Sequence, residues 1–246
     1  MGADPRRLLV VQTAFLGDVV LTTPLFRALR RLYPETRLAA LVTPQAAPLV
    51  EEDPHLDEVL TYDKKGGESW AAAVRKVWAG RYDTVVAPHR SHRTSLFALA
   101  SGAGKRVGFR DAGFSWAYTR RVPRPLARHE VDRNLELLQG LGEAPQPEDR
   151  VLHVGYTEQE LSEVTRVLED TKVAATARLA GLSPGSVWAT KRWSAEGFAA
   201  LGRALQGRGW RIVLLGGPDD REVAEKVARA IGPGVVNAAG RTSLKA

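Results

Sequence analysis

Short apolar runs alternate along this chain with longer stretches in which apolar positions recur at helical spacing. Leu8-Leu9-Val10-Val11 reads as a strand and leads into a helical pattern near Asp18 to Tyr33; Leu38 to Val42 leads into another near Gln45 to Glu51. The alternation continues through a strand at Glu58 to Thr61, a helix near Ser69 to Gly80, a strand at Thr84 to Ala87, a helix near Thr94 to Gly102 and a strand at Arg106 to Phe109. Strands alternating with helices in this order predict parallel pairing through crossover helices.

The pattern breaks over 142–150, where Gly-Glu-Ala-Pro-Gln-Pro-Glu-Asp-Arg has the composition of an interdomain connection. A second series follows: Leu179 to Ser183, a helix near Ser194 to Gln206, Trp210 to Leu215, a helix near Asp219 to Ile231, and Val235-Val236. Thr242 to Lys245 reads as the start of one more helix, just before Ala246. The expectation is therefore an α/β protein of two domains with parallel sheets, one over residues 1–145 and a second, incomplete one over 150–246.

With 44% hydrophobic and 26% charged residues, the composition is that of a globular protein with a substantial core. The absence of cysteine excludes disulfides, thiolate metal sites and a cysteine nucleophile. No signal-peptide pattern precedes the first strand, and no apolar run approaches the ~20 residues of a membrane-spanning helix. These features favour the cytoplasm, with room for peripheral membrane contact. The net charge of +7, with pairs such as Arg30-Arg31, Arg120-Arg121 and Lys191-Arg192, suggests anionic partners. Nucleic acid is not among the expected ones, because zinc-finger spacing, RNP-type strands and basic heptad helices are all missing.

Four segments carry candidate chemistry. In Gln12 to Val20 a strand gives way to a helix through Gly17 and Asp18, at the strand's carboxyl end where open α/β sheets bind ligands, but without dinucleotide-type glycine spacing. By spacing alone Asp18 is first a helix N-cap; it also suits a general base, since a carboxylate at a helix start stays ionised, and the two roles can coexist. In Ser183 to Ser194 a glycine loop is followed by Lys191-Arg192; backbone amides, the Ser186 hydroxyl and Lys191 suit a pyrophosphate, although a solvated basic pair before an N-capping Ser194 is the plainer alternative.

In Leu214 to Asp220 a second glycine turn carries Asp219 and Asp220, either as caps or as acceptors for ribose hydroxyls. In His129 to Asn134, His129 and Arg133 are four apart and predicted to share a helix face, as a polar first turn or a binding pair. His89, Arg90, His92 and Arg93 read as a polar loop at a cleft edge; two histidines three apart without a carboxylate are weak evidence for metal. Walker, nucleophile-elbow and zincin motifs are absent.

Thr13 to Leu25, Thr-Ala-Phe-Leu-Gly-Asp-Val-Val-Leu-Thr-Thr-Pro-Leu, resembles the N-terminal signature of the lipopolysaccharide heptosyltransferase family, glycosyltransferase family 9. Arg27 to Pro34 and Pro54 to Val59 are similar to that family in order and spacing, particularly its type II members. The resemblance implies a GT-B arrangement of two Rossmann-like domains, the second incomplete, and transfer of heptose, with inversion, from ADP-heptose to the inner core of lipopolysaccharide. It implies that Asp18 is the base and that Gly17 lies on the acceptor side. Gly185, Ser186 and Lys191 would hold the donor diphosphate and Asp220 the ribose, with the register able to slip to Asp219.

By the same resemblance, a basic loop at Lys64-Lys65 and a His-x-Val-x-Arg-like element, His129 with Arg133, would meet the acceptor. Trp193 is expected to pack beneath a helix. No metal or other cofactor is expected. The family's later Asp-Ser/Thr-Gly-x-x-His element has no counterpart within the chain. Two other readings stay open at this point: a binding fragment without catalysis, and a GT-B transferase that uses another nucleotide sugar.

Overall fold

The computed structural model describes residues 4–64, 66–174 and 176–246. Contacts divide the chain into two units, 1–155 and 156–246.

In the first unit β1 (Arg7–Val11), β2 (Arg37–Val42), β3 (Glu58–Thr61), β4 (Thr84–Ala87), β5 (Lys105–Phe109) and β6 (Arg120–Val122) form one sheet in the order β3-β2-β1-β4-β5-β6, with every pairing parallel. Side chains alternate between two packed faces. Leu8 and Val10 of β1 point into a cluster with Phe26, Leu29, Leu135 and Leu138, and Leu9 and Val11 into another with Val77, Phe97 and Tyr118. A parallel sheet covered on both faces needs strands apolar throughout, which is why β1, β2 and β4 read as unbroken apolar runs.

The helical stretch predicted near 18–33 is two helices, α1 (Leu16–Val20) and α2 (Thr23–Leu32). The Thr22 hydroxyl bonds back to the Asp18 carbonyl at 2.8 Å, and Pro24, in the first turn of α2, has no N–H to continue the ladder. The pattern near 45–51 yields only a 3₁₀ turn, Ala47–Leu49, around Pro48. α3 (Trp70–Ala79) and α4 (His92–Ala100) begin at N-caps Ser69 and Ser91, whose hydroxyls accept from Ala72 and Thr94 N–H. α5 (Glu130–Glu136) completes this unit's helices.

β6 was not visible in the sequence. Arg120 and Arg121 are exposed on this edge strand and only Val122 is buried, so no apolar run marks it. The segment 142–150 folds onto the first unit: Asp149, fully buried, takes a two-point contact from Arg31 of α2 at 3.0 and 2.8 Å.

In the second unit β7 (Arg178–Leu182), β8 (Trp210–Leu214) and β9 (Val236–Asn237) form a parallel sheet in the order β7-β8-β9. α6 (Glu158–Asp170), α7 (Ala195–Gln206) and α8 (Arg221–Ile231) accompany it. α6 escaped the apolar pattern because only Val167 is buried along it; its signal is the capping box of Thr157 and Glu160. Thr242 to Lys245 carries no helix.

Candidate functional sites

In the first unit the strand order turns back at β1, which has β2 on one side and β4 on the other. The loops leaving β1 and β4 therefore diverge at the carboxyl edge and leave a crevice between them. A cleft of about 490 Å³ lies there, walled by Gln12, Phe15 and Asp18 after β1, Lys64 after β3, His89 and Arg90 after β4, Asp111 after β5, and Arg124 and Glu130 after β6.

Asp18 sits in the first turn of α1 but is not its N-cap. That position is Phe15, whose N–H donates to Asp18 Oδ2 at 3.2 Å. The carboxylate thus caps the helix with one oxygen, and Oδ1 has no partner among the described residues. The turn behind it is clamped by buried amides: Gln12 Nε2 donates to Thr22 Oγ1 at 2.9 Å and Asn134 Nδ2 to the Leu21 carbonyl at 2.9 Å. Gly17, next to it, is exposed, and a Cβ there would meet nothing within 4 Å, so packing does not require a glycine.

Lys64 lines the same cleft, its Nζ donating to the Thr13 carbonyl at 3.0 Å. Its expected companion Lys65 is outside the described residues. His89, expected in a polar loop at a cleft edge, belongs to the cleft wall beside Asp18. Its Nδ1 lies 3.3 Å from Thr13 Oγ1 and 3.1 Å from Thr94 Oγ1. Burial lowers its pKa below the usual histidine value, and the Lys64 and Arg90 charges add to the effect against the opposing pull of Asp18. The ring is therefore neutral at pH 7.

His129 and Arg133 do not form the expected pair on one helix face. His129 is the N-cap of α5, its Nδ1 accepting from Val131 N–H at 3.3 Å, and it lies before the helix rather than on it. Arg133 spends its donors on the Pro125 and Leu126 carbonyls and on Glu130. Neither lines the cleft. Besides Lys64, the basic groups that line it are Arg124, held by Glu130 at 2.9 Å, and Arg90, paired with Asp111 at 2.7 Å.

In the second unit the two glycine loops meet at one carboxylate. A Cβ on Gly185 would lie 1.9 Å from Asp220 Oδ1, and one on Gly216 2.8 Å from Asp220 Cβ. Asp220 Oδ2 also accepts from Gly217 N–H at 2.9 Å. Asp220 rather than Asp219 is therefore the residue packed between the loops after β7 and β8. The Ser186 hydroxyl is turned into its own loop, donating to the Trp188 carbonyl at 3.1 Å, and Arg192 donates to the Ser186 carbonyl at 2.6 Å.

Lys191 ends the 3₁₀ turn Ala189–Lys191, exposed, its ammonium without a partner among the described residues. A second cleft, of about 550 Å³, is lined by Arg192, Trp193, Ser194, Asp219, Asp220 and Lys226 among others, but not by Gly185, Ser186 or Lys191. Trp193 packs edge-on against Phe198 at 5.1 Å at the start of α7. Among the described residues no cluster of metal-ligating side chains occurs, and no helix is long and apolar enough to cross a membrane.

The sequence model of glycosyltransferase family 9 (heptosyltransferase) matches residues 70–246. Lipopolysaccharide heptosyltransferase 3 of Escherichia coli K12 is 26% identical over 227 residues, covering 87% of this chain and 64% of the relative. A family 9 glycosyl transferase from Veillonella parvula superposes with TM-score 0.87 at 28% identity, covering all of this chain and 72% of that one. Escherichia coli ADP-heptose lps heptosyltransferase II shares the fold with TM-score 0.77 at 22% identity, over 97% of this chain and 74% of the other. The chain thus spans about two thirds of the length of the relatives it matches.

Proposed function

The chain belongs to glycosyltransferase family 9, the heptosyltransferases, and from that premise we propose that it acts in inverting transfer of heptose from ADP-heptose to the inner core of lipopolysaccharide. The observation that carries this reading is Asp18: a carboxylate lining a cleft at the switch point, with one oxygen tied to its helix and the other without a partner among the described residues, beside a neutral histidine and a lysine.

In the proposed reaction the acceptor hydroxyl enters the first cleft and passes its proton to Asp18 as its oxygen attacks the anomeric carbon of heptose. The bond from that carbon to the diphosphate breaks in the same displacement, and ADP leaves. Proton transfer to a positioned base contributes typically ~10²–10⁴-fold. Lys64 and Arg124 suit the phosphate or carboxylate groups of a core oligosaccharide. Lys191, exposed and with its ammonium unpaired among the described residues, is assigned to the donor diphosphate together with the Gly185 and Ser186 amides, where it offsets the charge that builds on the leaving group. Asp220 binds ribose. No resident cofactor is assigned, and the protein works at the cytoplasmic face of the inner membrane.

Calorimetric titration with ADP-heptose, and with ADP, UDP and GDP as comparators, tests this directly. The expected result is selective binding of the adenine nucleotides, weakened ~10- to 100-fold by Lys191→Ala, the range of a hydrogen bond from a charged group. A folded chain that prefers UDP or GDP would make it a transferase for another nucleotide sugar. One that binds no donor would make it a binding module of the same family.

A further inference from the structure

The loop after β5 holds two aromatic rings outside the fold, on a rigid support. Phe114 adopts φ 54° and ψ 42°, the left-handed region that a bulky residue rarely occupies. It is 43% exposed and Trp116 59%. The His92, Phe114 and Trp116 rings form a ladder, with centroids 4.5 and 5.9 Å apart.

The loop is fixed from below. Gly113 N–H donates to the Arg90 carbonyl at 2.9 Å, Ser95 Oγ donates to the Gly113 carbonyl, and Ser95 also contacts the buried Tyr118 hydroxyl at 3.0 Å. Gly113 packs so close to His92 that a Cβ would lie 2.7 Å from its ring. A buried support for exposed rings points to a contact made outside the chain.

The neighbouring loops of the same sheet edge repeat the pattern. Phe15 after β1 is 64% exposed and Leu126 after β6 69%. Around the ladder the free charges are cationic: Arg93, next to His92, and Arg110, at the end of β5, are exposed and make no side-chain bond or ion pair among the described residues. The nearby acid, Asp111, is taken by Arg90.

We propose that this rim is a docking surface for an anionic phospholipid bilayer. Phe114 and Trp116 enter the interface, Phe15 and Leu126 touch it, and Arg93 and Arg110 meet the phosphates. The proposal deepens the function proposed above and rests on it in one respect, that the acceptor is lipid-linked: a rim lying on the bilayer presents the first cleft to sugars anchored there. Apolar side chains spread over three loops and flanked by guanidinium groups suit a lipid surface better than a single sugar ring, which would call for carboxylates and amides beside the rings.

Co-sedimentation with phosphatidylcholine vesicles, with and without phosphatidylglycerol, is the test. The parent chain should bind the phosphatidylglycerol vesicles. Phe114→Ser with Trp116→Ser should weaken that binding by at least ~10-fold, with melting unchanged because both side chains are exposed. Arg93→Glu with Arg110→Glu should abolish the preference for phosphatidylglycerol. No binding by the parent, or binding unaffected by either pair, would overturn the proposal. So would loss of affinity for a lipid-free core oligosaccharide with vesicle binding intact, which would make the ladder a sugar platform. Vesicle binding needs neither donor nor turnover, so a chain that binds ADP-heptose but no vesicles would refute the docking surface alone.

Discussion

Asp18→Asn separates the observed helix-capping role of this carboxylate from its proposed role as the base. The asparagine side-chain oxygen can still accept the Phe15 N–H that Asp18 Oδ2 accepts at 3.2 Å, so the cap survives and only the charge at the helix start is lost. For a surface carboxylate in a first turn that charge contributes ~0.3–1 kcal/mol, and α1 has only five residues. At ~2–4 °C per kcal/mol for a chain of this size, the melting temperature should fall by no more than ~4 °C.

The chemical cost should be far larger. An amide cannot take the acceptor proton, so the transfer rate from ADP-heptose to a heptose-deficient core acceptor should drop ~10²–10⁴-fold, about 3–5.5 kcal/mol of barrier. Calorimetric binding of the acceptor should change little, because the walls of the cleft remain. Melting, acceptor titration and turnover would be measured on the same preparation. Turnover within a few-fold of the parent would refute the assignment of Asp18 as the base. Melting lowered by far more than the charge accounts for would mean that the carboxylate chiefly holds the turn.

The remaining predictions concern the supports of the two sites. Burial pushes the Asp149 carboxyl up, but the Arg31 contact and the Gln146 amide outweigh it and hold its pKa below the usual value; this stability is present above pH ~4 and lost as pH falls through the lowered folded value. Asp149→Asn should accordingly cost ~2 kcal/mol at pH 7, after allowing for the partial exposure of Arg31, and should flatten the acid limb of a denaturation series. The His89 pKa is also lowered, here by burial that disfavours the charged ring, so folding loses stability as pH drops below ~6.5 until the folded value is reached; His89→Gln should remove that slope, as read by urea melts across the range. Gly185→Ala should drive the Asp220 carboxylate away, since the new Cβ would sit 1.9 Å from Oδ1, and weaken donor binding ~10-fold, as for one lost hydrogen bond to a charged group; with Asp220→Ala already present it should add little, a coupling that a double-mutant cycle detects.

The strand order reflects a division of labour between local and distant information. β1, β2 and β4 are legible in the chain because burial on both faces makes each an apolar run, and Ser69, Ser91 and Ser194 announce the helices they cap within a few residues. β6 and α6 are not legible by pattern: Arg120 and Arg121 face solvent on an edge, and α6 buries one residue, so neither repeats an apolar period. The pairing of His129 with Arg133 failed because four-residue spacing puts two side chains on one face only when both lie inside the helix, and α5 begins after His129.

Residues 13–25 by themselves determined the family likeness, the turn that carries Asp18 and the carboxyl-edge location of the first site. Only the tertiary structure decided which groups share that site. His89 meets Thr13 across 76 positions because β4 lies beside β1, and Asp220 meets Gly185 because β7 lies beside β8. Turns and caps are set by hydrogen bonds within about one helical turn. A cleft is set by strand order, which follows from burying two faces of a whole sheet at once.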